Sequence, residues 1–141
     1  MSSESLAEMT VGHTLPELAI EITPKLIVGG AIASRDYQNV HHDKDAAQAL
    51  GSPDIFMNIL TTNGLVGRYI TDWAGQNARV QKIAIRLGAP NFPGDTMHLQ
   101  GEVSAVDSAA GRVELSIRGV NRIGDHVTAT AVVEFPYRAH K

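Results

Sequence analysis

The stretch Ile55-Phe56-Met57-Asn58-Ile59-Leu60-Thr61-Thr62-Asn63-Gly64-Leu65-Val66-Gly67-Arg68-Tyr69-Ile70-Thr71-Asp72-Trp73 decides how the rest of the chain is read. Apolar residues recur at Ile55, Ile59, Val66, Ile70 and Trp73, with Phe56, Leu60 and Tyr69 beside them. That spacing predicts a helix over 55–73, apolar around nearly its whole circumference. At the helical rise it spans roughly 28 Å, long for so small a domain. Gly51-Ser52-Pro53-Asp54 leads in, with Pro53 or Asp54 as the start signal, and Gly75 is a natural stop. Gly64 and Gly67 lie on one face, and each costs about 1 kcal/mol against alanine. Close approach of a sheet wrapped around the helix is the simplest reason to keep them. A transmembrane span is the rival reading, and Asn58, Asn63, Arg68 and Asp72 count against it, being expensive in hydrocarbon.

Downstream of Arg79 the period changes from helical to two. Gln81, Ile83, Ile85 and Leu87 share one strand face; Met97, Leu99, Gly101, Val103 and Ala105 share another. Val113, Leu115 and Ile117 alternate next, and Val127, Ala129, Ala131, Val133 and Phe135 follow. Turn residues at Pro93-Gly94, Ser108 to Gly111 and Ile123-Gly124-Asp125 separate these runs, which read as an antiparallel sheet. Upstream, Leu15 to Ile22 is an imperfect edge strand that tolerates Pro16. Thr23-Pro24 opens a short helix to about Ala33; Gly29 and Gly30 weaken it and leave a strand as the alternative. Asp43 caps a small helix over 44–50, which Gly51 ends. One long helix before such a sheet gives an α+β domain over 11–141, with residues 1–10 as a loose arm. A second copy or a partner chain is expected to cover the apolar surface left over.

Composition narrows the function classes. The 141 residues make one domain with a single core. Net charge is −3 with no basic run, which argues against nucleic acid. The absence of cysteine excludes disulfides, a thiolate nucleophile and thiolate–zinc sites. Residues 1–10 lack a signal-peptide pattern, so a cytoplasmic protein is expected.

The polar segment before the helix carries the candidate chemistry. Asp36 and His41 are five apart, off-face in a helix but able to converge in a bent loop. A carboxylate and an imidazole together can hold one water and move protons both ways. Free N–H groups at the helix start, near Asn58 and Ile59, can stabilise charge developing on a carbonyl oxygen. Together these suggest adding water to, or removing it from, a carbonyl-conjugated system. On residue types alone, a turn-forming Asp36 and a satisfied core His41 remain the stronger reading. A metal site at His41-His42-Asp43 is weaker, because adjacent histidines point apart and no second ligand cluster is evident. Asp43 reads as a helix cap, and His13, His98, His126 and His140 as surface or strand residues. Arg79, Lys82 and Arg86 suit either a solvated strand edge or an anionic substrate group.

The run Arg35-Asp36-Tyr37-Gln38-Asn39-Val40-His41-His42-Asp43 reverses those odds. It resembles the hydratase motif of the MaoC-like (R)-specific enoyl-CoA hydratases: glycine, aspartate, any residue, asparagine, proline, aliphatic, histidine, any residue, aspartate. Asp36, Val40, His41 and Asp43 match, whereas Arg35, Gln38 and Asn39 depart at the glycine, asparagine and proline. The resemblance continues through Pro93-Gly94-Asp95-Thr96, Gly101-Glu102-Val103 and Asn121-Arg122-Ile123-Gly124-Asp125, covering roughly residues 10–136. Asp54 to Leu60, Tyr69 to Gly75 and Gly124 to Thr130 look like the small MaoC-type subunits of steroid side-chain enoyl-CoA hydratases, a branch of that family. The resemblance implies a hotdog fold, with a long helix wrapped by a curved antiparallel sheet. It implies Asp36 and His41 as catalytic residues acting on an acyl-CoA, with CoA part of the substrate and no separate cofactor or metal. It also implies pairing with a second hotdog chain, or with itself in a stand-alone homodimeric hydratase for fatty or aromatic enoyl-CoAs. A non-catalytic acyl-CoA-binding subunit is the remaining alternative. Ordinary members carry His-Gly-Met at the helix start, where the glycine N–H is the oxyanion donor. Asn58-Ile59-Leu60 stands there in this chain, so the Ile59 N–H takes that role, with Asn58 beside it.

Overall fold

The period-two segments form strands because each places β-branched and aliphatic side chains on one face and polar ones on the other. The computed structural model describes residues 9–136. In chain order it contains β1 (Thr14–Glu21), α1 (Pro24–Ala33), a single 3₁₀ turn (Asn39–His41), α2 (Lys44–Ala49), α3 (Ile59–Ala74), β2 (Arg79–Leu87), β3 (Thr96–Asp107), β4 (Arg112–Val120) and β5 (Asp125–Glu134). All strand pairs are antiparallel, and the sheet order is β1-β3-β4-β5-β2. The edges are therefore β1 and β2. Pro16 sits where the β1–β3 register breaks between Leu15 and Leu18, a place where its missing N–H costs no ladder bond.

The core lies between α3 and the sheet. Helix α3 buries Thr62, Val66, Tyr69, Ile70, Trp73 and Ala74, and the sheet answers with Met97, Leu99, Val103, Val113, Leu115, Ile117, Val127 and Val133. Trp73 meets Phe135 edge-on, with ring centroids 5.9 Å apart. The Tyr69 hydroxyl donates to the Pro16 carbonyl at 2.8 Å, pinning α3 to β1. Burial, with help from the Glu17 charge, pushes that phenol up to about 12. This is the wrapped-helix arrangement expected of a hotdog fold.

Three expectations need correction. First, α3 starts at Ile59, not Ile55, and runs 16 residues. Ile55 and Met57 are buried, but from an extended approach whose backbone is already committed. The Phe56 N–H donates to Val40 O, and the Met57 N–H to Asn91 O. Asn58, rather than Pro53 or Asp54, caps the helix by accepting the Thr61 N–H at 3.1 Å. Gly75, at φ 87°, ends it as expected. Second, α3 is not apolar all round: Asn63, Arg68, Thr71 and Asp72 form a solvated face, and Ile59 and Leu60 stand about half exposed. Third, neither Gly64 nor Gly67 answers to a close approach. A Cβ on Gly64 would meet nothing, and one on Gly67 only Ile83 at 3.7 Å. Among the helical glycines it is Gly30 of α1 that permits close contact, because a Cβ there would overlap the Thr61 side chain.

Smaller departures have local causes. A bulge between Val103 and Ala105 passes the inward direction to Val106, which faces buried Val113. Residues 1–8 of the expected arm lie outside the described residues, as does His140, but Met9 is buried in the core. The expected helices over 24–33 and 44–50 are present, capped by Thr23 and Asp43. Among the described residues, no helix is long and apolar enough to cross a membrane.

Arg35 follows α1 with φ 56°, the left-handed conformation that glycine adopts without cost. It stands at the position where the hydratase motif has glycine. An L side chain there is disfavoured by roughly 1 kcal/mol or more. Arg35→Gly is therefore expected to stabilise the fold by about 1 kcal/mol in denaturant unfolding, less glycine's gain of freedom in the unfolded chain. Stability lowered by the full cost of glycine's freedom, about 0.5–1 kcal/mol, would show that Arg35 is not strained.

Candidate active site

The segment from Ser34 to Asp43 folds back because its backbone is tied at both ends. The Ser34 hydroxyl donates to Gly30 O at 2.7 Å, and the Asp36 N–H donates to Ala31 O at 2.9 Å. The left-handed Arg35 makes the reversal possible. The 3₁₀ turn then closes, with the His41 N–H on Gln38 O and the Asp43 N–H on Asn39 O. Five residues apart, Asp36 and His41 are thereby brought together, with His41 Nε2 3.3 Å from Asp36 Oδ2. The His41 side chain is 7% exposed and that of Asp36 22%, so a dry imidazole meets a carboxylate open to the outside.

The tautomer of His41 follows from its other nitrogen. Nδ1 lies 2.7 Å from the Phe56 carbonyl oxygen, which can only accept, so Nδ1 carries a proton. In the neutral ring Nε2 then presents a lone pair towards Asp36. Two acceptors 3.3 Å apart are satisfied by a donor they share, and a water giving one O–H to each fits that need. Phe56 also packs edge-on against the imidazole, with centroids 5.1 Å apart, which fixes the ring plane.

Asn58, only 2% exposed, faces the pair from the start of α3. Its Nδ2 donates to Asp36 Oδ2 at 3.1 Å and to Ser34 Oγ at 2.9 Å. Its Oδ1 accepts from the Thr61 N–H and hydroxyl. The Asn58 amide, more than desolvation opposes it, draws the Asp36 carboxyl below its ordinary value; the Gln38 N–H and the His41 charge act the same way. Next to Asn58, the first-turn N–H groups of Ile59 and Leu60 have no acceptor among the described residues. The four residues singled out from the sequence, Asp36, His41, Asn58 and Ile59, are thus gathered at one end of α3. Asn58, however, touches the carboxylate rather than standing simply as an oxyanion donor.

Other expected roles sort themselves. Asp43 caps α2, accepting the Ala46 N–H at 3.1 Å. His42 points elsewhere, with Nε2 3.3 Å from Tyr37 O. Arg79, Lys82 and Arg86 lie exposed along the edge strand β2. A broad concavity of about 660 Å³ opens on the outer face of the sheet, among Arg86, Gln100, Glu102, Ser116 and Arg118, and includes none of the four site residues.

His126 is a strand residue, one of the two places expected for it, but not a surface one. It lies on β5 but is 2% exposed. Its Nδ1 donates to Ala89 O at 2.7 Å, and its Nε2 takes the Thr62 hydroxyl at 2.8 Å. Strand alternation gave no sign of this, because α3 and the segment after β2 cover that position. Ser34 and Gly30 were missed as well. The cap-forming residue type at Asn58, just before Ile59, was the available signal for the helix start.

The comparisons with known proteins fit this geometry. The model of the MaoC like domain matches residues 7–132. The chain belongs to the MaoC-like family. It is 52% identical over 120 residues to the 3-oxo-4,17-pregnadiene-20-carboxyl-CoA hydratase beta subunit of Mycobacterium tuberculosis, covering 85% of this chain and 92% of that relative. A chain in the crystal structure of the ChsH1-ChsH2 complex from M. tuberculosis superposes with a TM-score of 0.87 at 50% identity, covering 90% of this chain and 98% of that one. The (R)-hydratase from A. caviae involved in PHA biosynthesis superposes at 0.84 with 21% identity, covering 92% of this chain and 98% of that one, and shares the hotdog fold.

Burial of His126 lowers its tendency to take a proton, only partly offset by its bond to Ala89. An unfolded histidine protonates near pH 6.5, so below that pH the unfolded MaoC-like chain binds more protons and stability falls as pH falls. This group contributes a slope of at most about 1.4 kcal/mol per pH unit. His126→Gln should lose that component when denaturant unfolding is compared between pH 7 and pH 5. An unchanged slope would place the titration elsewhere.

Proposed function

We propose that this MaoC-like chain is the catalytic subunit of an enoyl-CoA hydratase, a hydro-lyase that adds water across the α,β double bond of a steroid side-chain enoyl-CoA. It works with a second MaoC-like hotdog chain. The observation that carries the reading is the Asp36–His41 pair, 3.3 Å apart, beside the unpartnered Ile59 N–H. The relative's name supports the substrate class and the pairing.

The chemistry follows from the site. Water donates one O–H to His41 Nε2 and the other to Asp36 Oδ2. The thioester carbonyl oxygen accepts the Ile59 N–H, which stabilises the negative charge that develops as oxygen attacks the β-carbon. One water proton passes to the Asp36–His41 pair, and the pair returns a proton to the α-carbon. The water donates to both groups, so either of them can take its first proton. Every proton comes from the water and CoA belongs to the substrate, so the step as written calls for no further cofactor or metal. A cytoplasmic location accords with a phosphorylated thioester that does not cross membranes unaided.

Loss of enoyl-thioester absorbance with a steroid enoyl-CoA tests the reading, using the chain alone and with a second MaoC-like chain. Activity in the mixture is expected, lowered about 10²–10⁴-fold by Asp36→Asn or His41→Ala, with His42→Ala as control. Activity of the chain alone on short linear enoyl-CoAs would instead favour a homodimeric hydratase. Unchanged hydration in both site variants would remove the catalytic assignment.

Ile59→Pro separates the oxyanion role from folding. Proline suits the first helical position, and Asn58 already holds the extended backbone that a following proline requires (φ −81°, ψ 161°). The variant loses one N–H and little else. Thermal stability should be kept while kcat drops by about 10²–10³-fold. Ile59→Ala, which keeps the N–H, should not show that loss.

A further inference from the structure

Buried amides in a reacting site deserve an account of every hydrogen bond. The Asn58 side chain has two donors and one oxygen with two lone pairs, and all are used. The oxygen faces the Thr61 N–H, which can only donate, so the nitrogen must face Asp36 and Ser34. Reversing the amide would set a carbonyl oxygen against a carboxylate and an NH₂ against an N–H. The same amide therefore caps α3 and grips the loop that bears Asp36. Thr61 packs its side chain into the space left by Gly30 of α1, and Ser34 returns its hydroxyl to Gly30 O. The bridge between α1, the loop and α3 is closed.

We infer that Asn58 is a positioning residue that sets the water-holding oxygen of Asp36 in register with the Ile59 N–H, so that one amide spaces the water from the thioester carbonyl. This rests on the hydratase reading and assigns a residue that reading does not otherwise need. Asp36 Oδ2 receives both Asn58 Nδ2 and the approach of His41 Nε2. Without the amide, the carboxylate keeps the Gln38 N–H on Oδ1 and the neighbouring His41 Nε2, but Oδ2 loses the one protein donor that fixes it. Removing the donor also weakens the hold on the ionised form, since the Asn58 bond is the leading cause of its lowered protonation. The ionisable group facing Asp36 is His41, from the 3₁₀ turn; α1 presents Ser34 and α3 presents Asn58, both neutral, and Arg35 and Tyr37 flank it in the chain.

Two variants keep the helix cap, because serine and aspartate both accept the Thr61 N–H. Asn58→Ser removes the amide donor, and Asn58→Asp replaces it with a second carboxylate. The full chain, carbon-13 labelled at aspartate, is titrated by NMR, with Asp36→Asn marking the signal. The Asp36 midpoint should rise in Asn58→Ser and by more than about one unit in Asn58→Asp, where like charges face each other. In the hydration assay with the partner chain, kcat should fall roughly tenfold to a hundredfold with KM within about twofold, and the acid limb of the pH profile should move up with the NMR midpoint. An Asp36 midpoint unmoved in both variants would overturn the assignment, as would lost activity without that shift, which is what a cap alone would produce. The titration needs no substrate, so it judges Asn58 even if the wild-type complex hydrates nothing, a result that would strike the hydratase reading instead.

Discussion

The contact of the buried face of α3 with the concave side of the sheet is what the rest of the molecule depends on. Val66, Ile70 and Trp73 share one buried core with Leu99, Leu115 and Val133, and each side chain of this size contributes roughly 1.5–3 kcal/mol by leaving water. Because only one face of α3 is used, its orientation about its own axis is fixed. That orientation decides where the first turn points. The exposed N–H groups of Ile59 and Leu60 owe their position to packing two and three turns further along the same helix.

The second constraint is polar. Asp36, His41, Ser34 and Asn58 form a network between α1 and α3 in which each hydrogen bond named has a donor and an acceptor of the right kind. Such networks are costly if left incomplete, because a buried polar group without a partner loses its hydration for nothing. Completion is therefore a folding requirement as well as a chemical one. The Phe56 carbonyl shows the same economy: it holds the His41 ring, fixes its tautomer, and belongs to the extended lead-in that delays the start of α3.

The sheet was legible in the sequence because alternation survives wherever one face is buried, as at Val127, Ala129, Ala131 and Val133. The caps at Thr23 and Asp43 were legible because a cap is a local interaction three residues long. The start of α3 was not, since periodicity registers that Ile55 and Met57 are buried but not from what backbone. His126 was placed on a strand, but its burial was not legible, because that comes from α3 and the 88–89 segment, distant in sequence. Asp36 and His41 were found through the motif, but the grip of Asn58 on Asp36 spans 22 residues and no spacing rule encodes it. The departure at Arg35 was visible, and its φ explains why the motif has glycine there.

The manner in which α1 and α2 are attached has a consequence for how the protein fails. The five strands share continuous ladders, whereas the excursion from Thr23 to Asp54 lies outside the sheet. It carries Asp36 and His41 and is held to the rest by the Asn58–Asp36 and Asn58–Ser34 bonds, by the Phe56–Val40 and Phe56–His41 bonds, by the fit of Thr61 against Gly30, and by Ile27 in the core. Segments fastened by few bonds open at lower free energy than the ladders they rest on. On gentle warming, the excursion would lift as a unit while the sheet stayed whole. The Asp36–His41 pair would then come apart before the sheet lost its shape, and cooling would re-form it without refolding the core.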